Sequence, residues 1–249
     1  MSRLAVMQPY FFPYIGYWQL IHAVDRFVIY DDVNYIKGGW INRNRLLING
    51  EPVFFTAPLQ QASPYKRICD TSLQPAPLWR DKLVKTVATT YRKAACFAEV
   101  FPVVEQLIRH ETNTLSEYLA NQLQTLAAFM GIKTEFVLSS SCYENADLSG
   151  QARVLDICKK EDASNYINLQ GGQTLYAGDA FRSAGLDLRF IVMQPVFYQQ
   201  RADSFVPYLS IIDALMAVGP MAIRQHLDAF HLVSPRNNPM HVSAGERDA

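Results

Sequence analysis

The sequence predicts an α/β protein whose mainly parallel sheet carries helices on both faces, with a helical insertion in the middle. Three patterns predict it. Short apolar runs at residues 4–7, 26–30, 135–138, 166–169 and 188–193 read as buried strands. Segments of helical period lie between successive runs, the alternation expected of a parallel sheet. The first two runs flank a helix within a span of about 30 residues, which makes a tight βαβ unit and so a parallel pair.

In chain order, the first run closes on Gln8-Pro9. Tyr10-Phe11-Phe12-Pro13 reads as a loop, because prolines at both ends break a strand ladder. Pro13 suits the first turn of a helix, and Tyr17, Leu20, Ile21 and Val24 give that helix one apolar face. Asn49-Gly50 is a hairpin turn with a strand over 52–56 behind it. The insertion covers roughly 75–130. It holds a helix over 79–94 and a second that opens on the capping box Thr114-Leu115-Ser116-Glu117 and stops at Gly131. Further helices are expected over 151–160 and 175–184. Pro207 opens another that ends at Gly219-Pro220, and a short helix then runs to about His231. No linker divides the chain, so residues 1–233 form one domain and 234–249 a flexible polar tail.

Composition narrows the partners. Lys plus Arg and Asp plus Glu both number 23, so the formal net charge is zero. Binding to a DNA duplex needs a basic surface that this balance does not supply. Lys37, Arg43 and Arg45, with Arg26 upstream, suffice for one phosphorylated small molecule. No segment approaches the roughly 20 apolar residues of a membrane helix, and the start lacks a secretory apolar region. Cys69, Cys96, Cys142 and Cys158 form no paired pattern. The expectation is a cytoplasmic protein with reduced thiols and no membrane insertion.

The densest polar stretch follows the second strand, from Asp31-Asp32 through Lys37-Gly38-Gly39-Trp40 to Asn42-Arg43-Asn44. Two adjacent carboxylates at a strand's carboxyl end can hold Mg²⁺ or accept a proton from an amine. Lys37 and Arg43 would meet phosphate or carboxylate, and Gly38-Gly39 would let backbone approach a ligand. Asp31 or Asp32 is expected to bond Lys37, Arg43 or Asn44, and replacing Asp32 is expected to leave the fold intact. The competing reading is that these are ordinary turn and surface residues. Val6-Met-Gln-Pro9 recurs as Val192-Met-Gln-Pro195. If both strands are central and parallel, Gln8 and Gln194 leave the sheet at the edge where such folds bind ligands; otherwise Gln-Pro is a strand stop repeated by chance. Asp213, inside the apolar run from Leu209 to Met216, needs a partner, for which Arg43 or Lys37 is the candidate. Ser139-Ser140-Ser141 and Gly171-Gly172 read first as loop and turn. His226 and His231 are spaced wrongly for a shared metal, and no metal site is predicted.

The layout of strand, loop, Tyr14-Ile15-Gly16-Tyr17, helix and strand is similar to the first unit of nucleotidyltransferases and class I synthetases, with tyrosines where those carry histidines. More specifically, Gln8-Pro-Tyr-Phe-Phe-Pro-Tyr-Ile-Gly-Tyr-Trp-Gln-Leu-Ile21, Asp25-Arg-Phe-Val-Ile-Tyr-Asp-Asp-Val33, Lys37 and Trp40-Ile-Asn-Arg-Asn44 resemble the WbqC-like protein family. Tyr166, Gly171-Gly172, Tyr176, Phe181, Gly185, Tyr198-Gln199, Asp213 and Gly219 extend the resemblance to about residue 220. It implies a bacterial O-antigen or surface-polysaccharide setting and transfer of an acyl or aminoacyl group, such as glycyl, to an amino sugar. In that reading Asp31, Asp32 and Lys37 are catalytic. Gln8, Tyr10, Tyr17, Trp40, Asn42, Arg43, Asn44, Gln194, Tyr198 and Asp213 bind substrate. ATP is the candidate cofactor, a nucleotide or sugar nucleotide the small-molecule partner, and an aminoacyl-tRNA donor is disfavoured by the neutral charge. The alternative is a non-catalytic nucleotide- or sugar-nucleotide-binding module of a polysaccharide assembly complex.

Overall fold

A computed structural model of the protein describes residues 2–235. Apart from Ser234 and Pro235, the tail expected to be flexible lies outside the described residues. The chain forms β1 (Arg3–Met7), α1 (Ile15–Ala23), β2 (Arg26–Ile29), the hairpin β3 (Arg43–Ile48) and β4 (Glu51–Thr56), and a short pair β5 (Leu59–Gln60) and β6 (Ser72–Leu73). The insertion is α2 (Leu78–Tyr91), α3 (Phe97–Arg109) and α4 (Leu115–Phe129). β7 (Glu135–Val137), α5 (Gly150–Lys160), β8 (Asn165–Leu169), α6 (Gly178–Ser183), β9 (Asp187–Met193), α7 (Ile211–His226) and β10 (Phe230–Val233) complete it.

Six strands make one sheet in the order β10-β9-β8-β1-β2-β7, and all but β10 run parallel. The strands ending near Gln8, Tyr30 and Met193 are therefore parallel members of one sheet, as expected. They are not all neighbours, because β8 separates β1 from β9. Alternate strand residues divide the core in two. Ala5, Phe27, Ile29, Ile167 and Ile191 pack under α1, α7 and the insertion. Leu4, Val6, Val28, Tyr166, Leu188 and Phe190 pack with α5 and Phe181 of α6 on the opposite face. α1 is buried nearly all round rather than on one stripe, since the sheet covers one side and the helices the other.

Several boundaries differ from the sequence reading. α3 was not expected: Val100, Val104, Leu107 and Ile108 bury one face, but Pro102 within it reads as a breaker. The helix expected over 175–184 is shorter: Leu175 closes a 3₁₀ turn (Gln170–Leu175), and α6 covers only Gly178–Ser183. α7 starts at Ile211, not at Pro207; its helical backbone breaks at Gly219 (φ 79°, ψ 168°), where the sequence places the stop, and Pro220 opens the second helical piece, which ends at His226 rather than near His231. His231 lies in an edge strand, not a helix. Phe230 to Val233 pair antiparallel with β9 and cover its edge.

α1 begins directly over the end of β9. A Cβ on Gly16 would lie 2.1 Å from Met193 Sδ and 2.6 Å from the Tyr14 ring. Gly16→Val is therefore expected to cost about 1–3 kcal/mol in urea unfolding, with part of the loss recovered by adding Met193→Ala. Unchanged stability would mean that α1 does not ride on this strand end.

Candidate functional site

Numbering the parallel strands by their order in the chain gives 3-2-1-4-5 across the sheet, read from β7 to β9. From β1 the chain leaves through α1 toward β2; from β8 it leaves the other way, through α6 toward β9. The topology thus switches between β1 and β8, and ligands of such sheets bind in the crevice at the carboxyl ends of those strands. The two strands pair only through Arg3 and Leu4, whereas β8 stays paired with β9 to Leu169. Past Leu4 the sheet parts, and the Tyr166 hydroxyl reaches across to the Val6 carbonyl at 3.4 Å. Asn168 Nδ2 donates to the Tyr166 and Tyr176 oxygens at 3.0 and 3.2 Å. These three side chains form a polar cluster at the switch point, with Tyr166 and Asn168 buried and Tyr176 half-buried, and burial raises the pKa of both tyrosines.

Gln8 and Tyr10, which follow β1, stand at this edge, half-buried. The loop they start is held by side-chain hydrogen bonds to its carbonyls. Phe12 has a left-handed backbone (φ 42°), and its carbonyl accepts from Asn44 Nδ2 at 2.8 Å and Ser210 Oγ at 2.9 Å. Asn44 Nδ2 also bonds the Phe11 carbonyl at 3.0 Å. Asn42 is buried between the Tyr35 hydroxyl at 2.7 Å and the Ala57 carbonyl at 2.9 Å. Tyr17 is fully buried, with its hydroxyl on the Gln8 carbonyl at 2.7 Å. Asn42, Asn44 and Tyr17 are thus committed to architecture. Lys37 and Trp40 are exposed. Arg43 binds the Gly38 and Gly39 carbonyls and stacks on Phe54, 4.4 Å from the ring centroid.

The aspartates behind β2 are placed differently from the expectation. Neither bonds Lys37, Arg43 or Asn44. Asp31 is 1% exposed and accepts from Ser116 Oγ, from Ser139 Oγ at 2.8 Å and from the Ser140 N–H at 3.1 Å. Asp32 accepts from Ser140 Oγ and forms an ion pair with Arg153 of α5, their side chains 2% and 3% exposed. Arg153 also donates to Asn145 Oδ1 at 2.9 Å and lies over the Tyr30 ring. Burial explains the departure: carboxylates folded under the edge need donors that are buried with them, and the surface cations Lys37 and Arg43 cannot follow. It also overturns the expectation that Asp32 can be replaced without harm to the fold. Arg153 was missed, yet its spacing of four from Ile157 puts it on the buried face of a helix, where an arginine demands an acid. Ser139 and Ser140, in a stretch with the composition of a plain loop, supply donors to both aspartates.

Gln194 and Tyr198 follow β9 on the same edge as Gln8, so the repeated Val-Met-Gln-Pro does mark two parallel strand ends. Asp213 is buried, but its partners are Tyr91 at 2.8 Å, Tyr198 at 2.9 Å and Gln200 at 3.3 Å, not Arg43 or Lys37. Desolvation raises its pKa above 3.8, and the three donors only partly offset this. Among the described residues no group of three or more His, Cys, Asp or Glu is arranged to hold a metal ion. The four cysteines are free.

Two expectations follow. Arg153→Leu strands Asp32 in the core and should cost about 3–5 kcal/mol, part of it recovered in Asp32→Asn/Arg153→Leu; denaturant titration of both variants checks this. For Asp213 the folded pKa lies above the unfolded one, so below 3.8 the group is protonated in both states. As the pH rises through the raised value, ionising it in the fold costs stability. The advantage of wild type over Asp213→Asn should accordingly be largest in acid and shrink toward neutral pH in paired melts.

Residues 8–225 match the WbqC-like protein family. The chain is 28% identical over 224 residues to the uncharacterized protein Rv1507c of Mycobacterium tuberculosis, with 89% of this chain and 96% of that protein covered. No solved structure matches. No helix among the described residues is long and apolar enough to cross a membrane. With an aligned span running from the loop after β1 to the last turn of α7, the chain belongs to the WbqC-like protein family.

Proposed function

We propose that the protein binds a nucleotide or nucleotide-linked sugar at the carboxyl edge of its sheet. There it transfers an acyl or aminoacyl group, such as glycyl, to the amine of an amino sugar in bacterial O-antigen or surface-polysaccharide biosynthesis. The carrying observation is the switch point between β1 and β8 of a 3-2-1-4-5 sheet, where the ladder stops after Leu4 and Tyr166, Asn168 and Tyr176 form a polar cluster. Gln8 and Tyr10 meet the ligand from the loop after β1, and Gln194 from the segment after β9. Lys37 and Arg43 lie on the outer loop and hairpin, where they supply positive charge toward a phosphate. The polysaccharide setting and the glycyl group rest on the family resemblance. The amide would form by attack of the sugar amine on an acyl-adenylate made from ATP. The new C–N bond replaces the C–O bond to AMP, and the amine proton is released.

That proton needs an acceptor, and one observation favours the alternative of a non-catalytic binding module. Asp31 and Asp32, the base candidates, are already engaged by serines and Arg153. Incubating the protein with ATP, glycine and a UDP- or dTDP-amino sugar separates the readings. Pyrophosphate release that requires glycine supports the transferase. Binding of the sugar nucleotide without pyrophosphate or AMP supports the binding module. Absence of both binding and turnover contradicts the two together.

A further inference from the structure

At the same carboxyl edge, between the start of α1, the end of β9 and the start of α7, lies a cavity of about 340 Å³. Tyr14, Tyr198, Phe205 and Tyr208 supply rings, Ala214 forms part of its wall, and no charged side chain among the described residues lines it. The aromatic walls are preset by mutual packing: Tyr14 meets Tyr208 edge-on at 5.6 Å, and Tyr198 meets Phe205 at 5.4 Å. Burial, with Tyr10 and Tyr208 nearby, pushes the Tyr14 hydroxyl up to about 12, so it stays neutral. One amide, that of Gln194, also lines the cavity. Its main-chain N–H is taken by the Ala229 carbonyl, while its side chain bonds no described residue.

Just outside stands Arg45. Its guanidinium reaches the Tyr208 carbonyl at 3.3 Å and the Pro207 carbonyl at 3.5 Å, both residues of the cavity wall. It lies 5.6 Å from the centre of the Trp40 ring. It has no carboxylate partner among the described residues, and its Nε is buried without a hydrogen bond. An uncharged, ring-lined cavity with one free amide, next to a cation that no acid among the described residues neutralises, has the complementarity of a nucleotide.

We infer that the cavity takes the base of a nucleoside diphosphate moiety, stacked among the tyrosines and read by Gln194, and that Arg45 receives its phosphates. This rests on the nucleotide-binding reading above and deepens it by placing the two halves of the ligand. An amide offers both a donor and an acceptor, which a base edge satisfies and an aliphatic chain would leave unpaired. Aromatic faces suit a flat ring of any base.

Calorimetric titrations with UDP and ADP, uridine and adenosine, and pyrophosphate test the placement. Wild type should bind a nucleoside diphosphate more tightly than either half. Ala214→Leu, which fills the cavity, should weaken the diphosphate and its nucleoside by about tenfold or more and leave pyrophosphate unchanged. Arg45→Gln should weaken diphosphate and pyrophosphate by about tenfold and leave the nucleoside unchanged. Gln194→Ala, on an exposed side chain that the fold does not need, should weaken the nucleoside without lowering the melting temperature, and stands in should Ala214→Leu not fold. Wild-type affinity for the nucleosides in both Ala214→Leu and Gln194→Ala would overturn the placement while sparing the switch-point reading. Binding of decanoate, lost in Ala214→Leu while nucleotides still bind, would make the cavity an acyl site and overturn it as well. No binding of any nucleotide by wild type would overturn both.

Discussion

The carboxyl edge of this sheet depends on keeping two adjacent aspartates dry. Asp31 and Asp32 follow β2 and turn under the edge, where ionised carboxylates persist only with donors buried beside them. Those donors are four residues from three places: Ser116 at the start of α4, Ser139 and Ser140 after β7, and Arg153 on α5. One pair of residues thus ties the helical insertion, the outermost parallel strand and a helix of the opposite face to the end of β2. A pair of this kind contributes little net stability compared with apolar packing, but losing one member is costly. It therefore fixes which elements meet at the edge more than it stabilises the fold as a whole.

The same economy governs the loop after β1. Asn44 and Ser210, distant in sequence, both bind the carbonyl of Phe12 in its left-handed conformation. Arg43 holds the Gly38 and Gly39 carbonyls, and Arg45 holds those of Pro207 and Tyr208. Polar residues that look dispensable in a hairpin are spent on carbonyls of irregular backbone, the groups a loop cannot satisfy by itself. Gln8, Tyr10 and Gln194 are set at the edge on this frame, and beyond Leu4 the Tyr166 and Asn168 side chains stand in for the ladder between β1 and β8.

The sheet was legible in the sequence because buried parallel strands are short continuous apolar runs, and the repeated Val-Met-Gln-Pro marked two strand ends on one edge. The family was legible through a long run of unusual residues around Gln8 to Asn44. Partner identity was not. Asp31 is separated by 85 residues from Ser116 and Asp32 by 121 from Arg153, and sequence proximity pointed instead to Lys37 and Arg43. Asp213 failed in the same way: its donors are neutral tyrosines and an amide, which no search for an opposite charge would select. β10 was hidden because Phe230 to Val233 is a half-exposed edge strand without an apolar run.

Hydrogen–deuterium exchange with and without a saturating UDP- or dTDP-amino sugar tests the claim that the ligand sits at the carboxyl edge over the β1/β8 switch point. Protection is predicted in residues 8–17, 169–176 and 194–210, the segments that leave the sheet there. The groove at the opposite end, around Arg3, Lys133 and Arg224, should be unaffected. Protection confined to that opposite groove, or to the outer face of the β3–β4 hairpin, would contradict the claim.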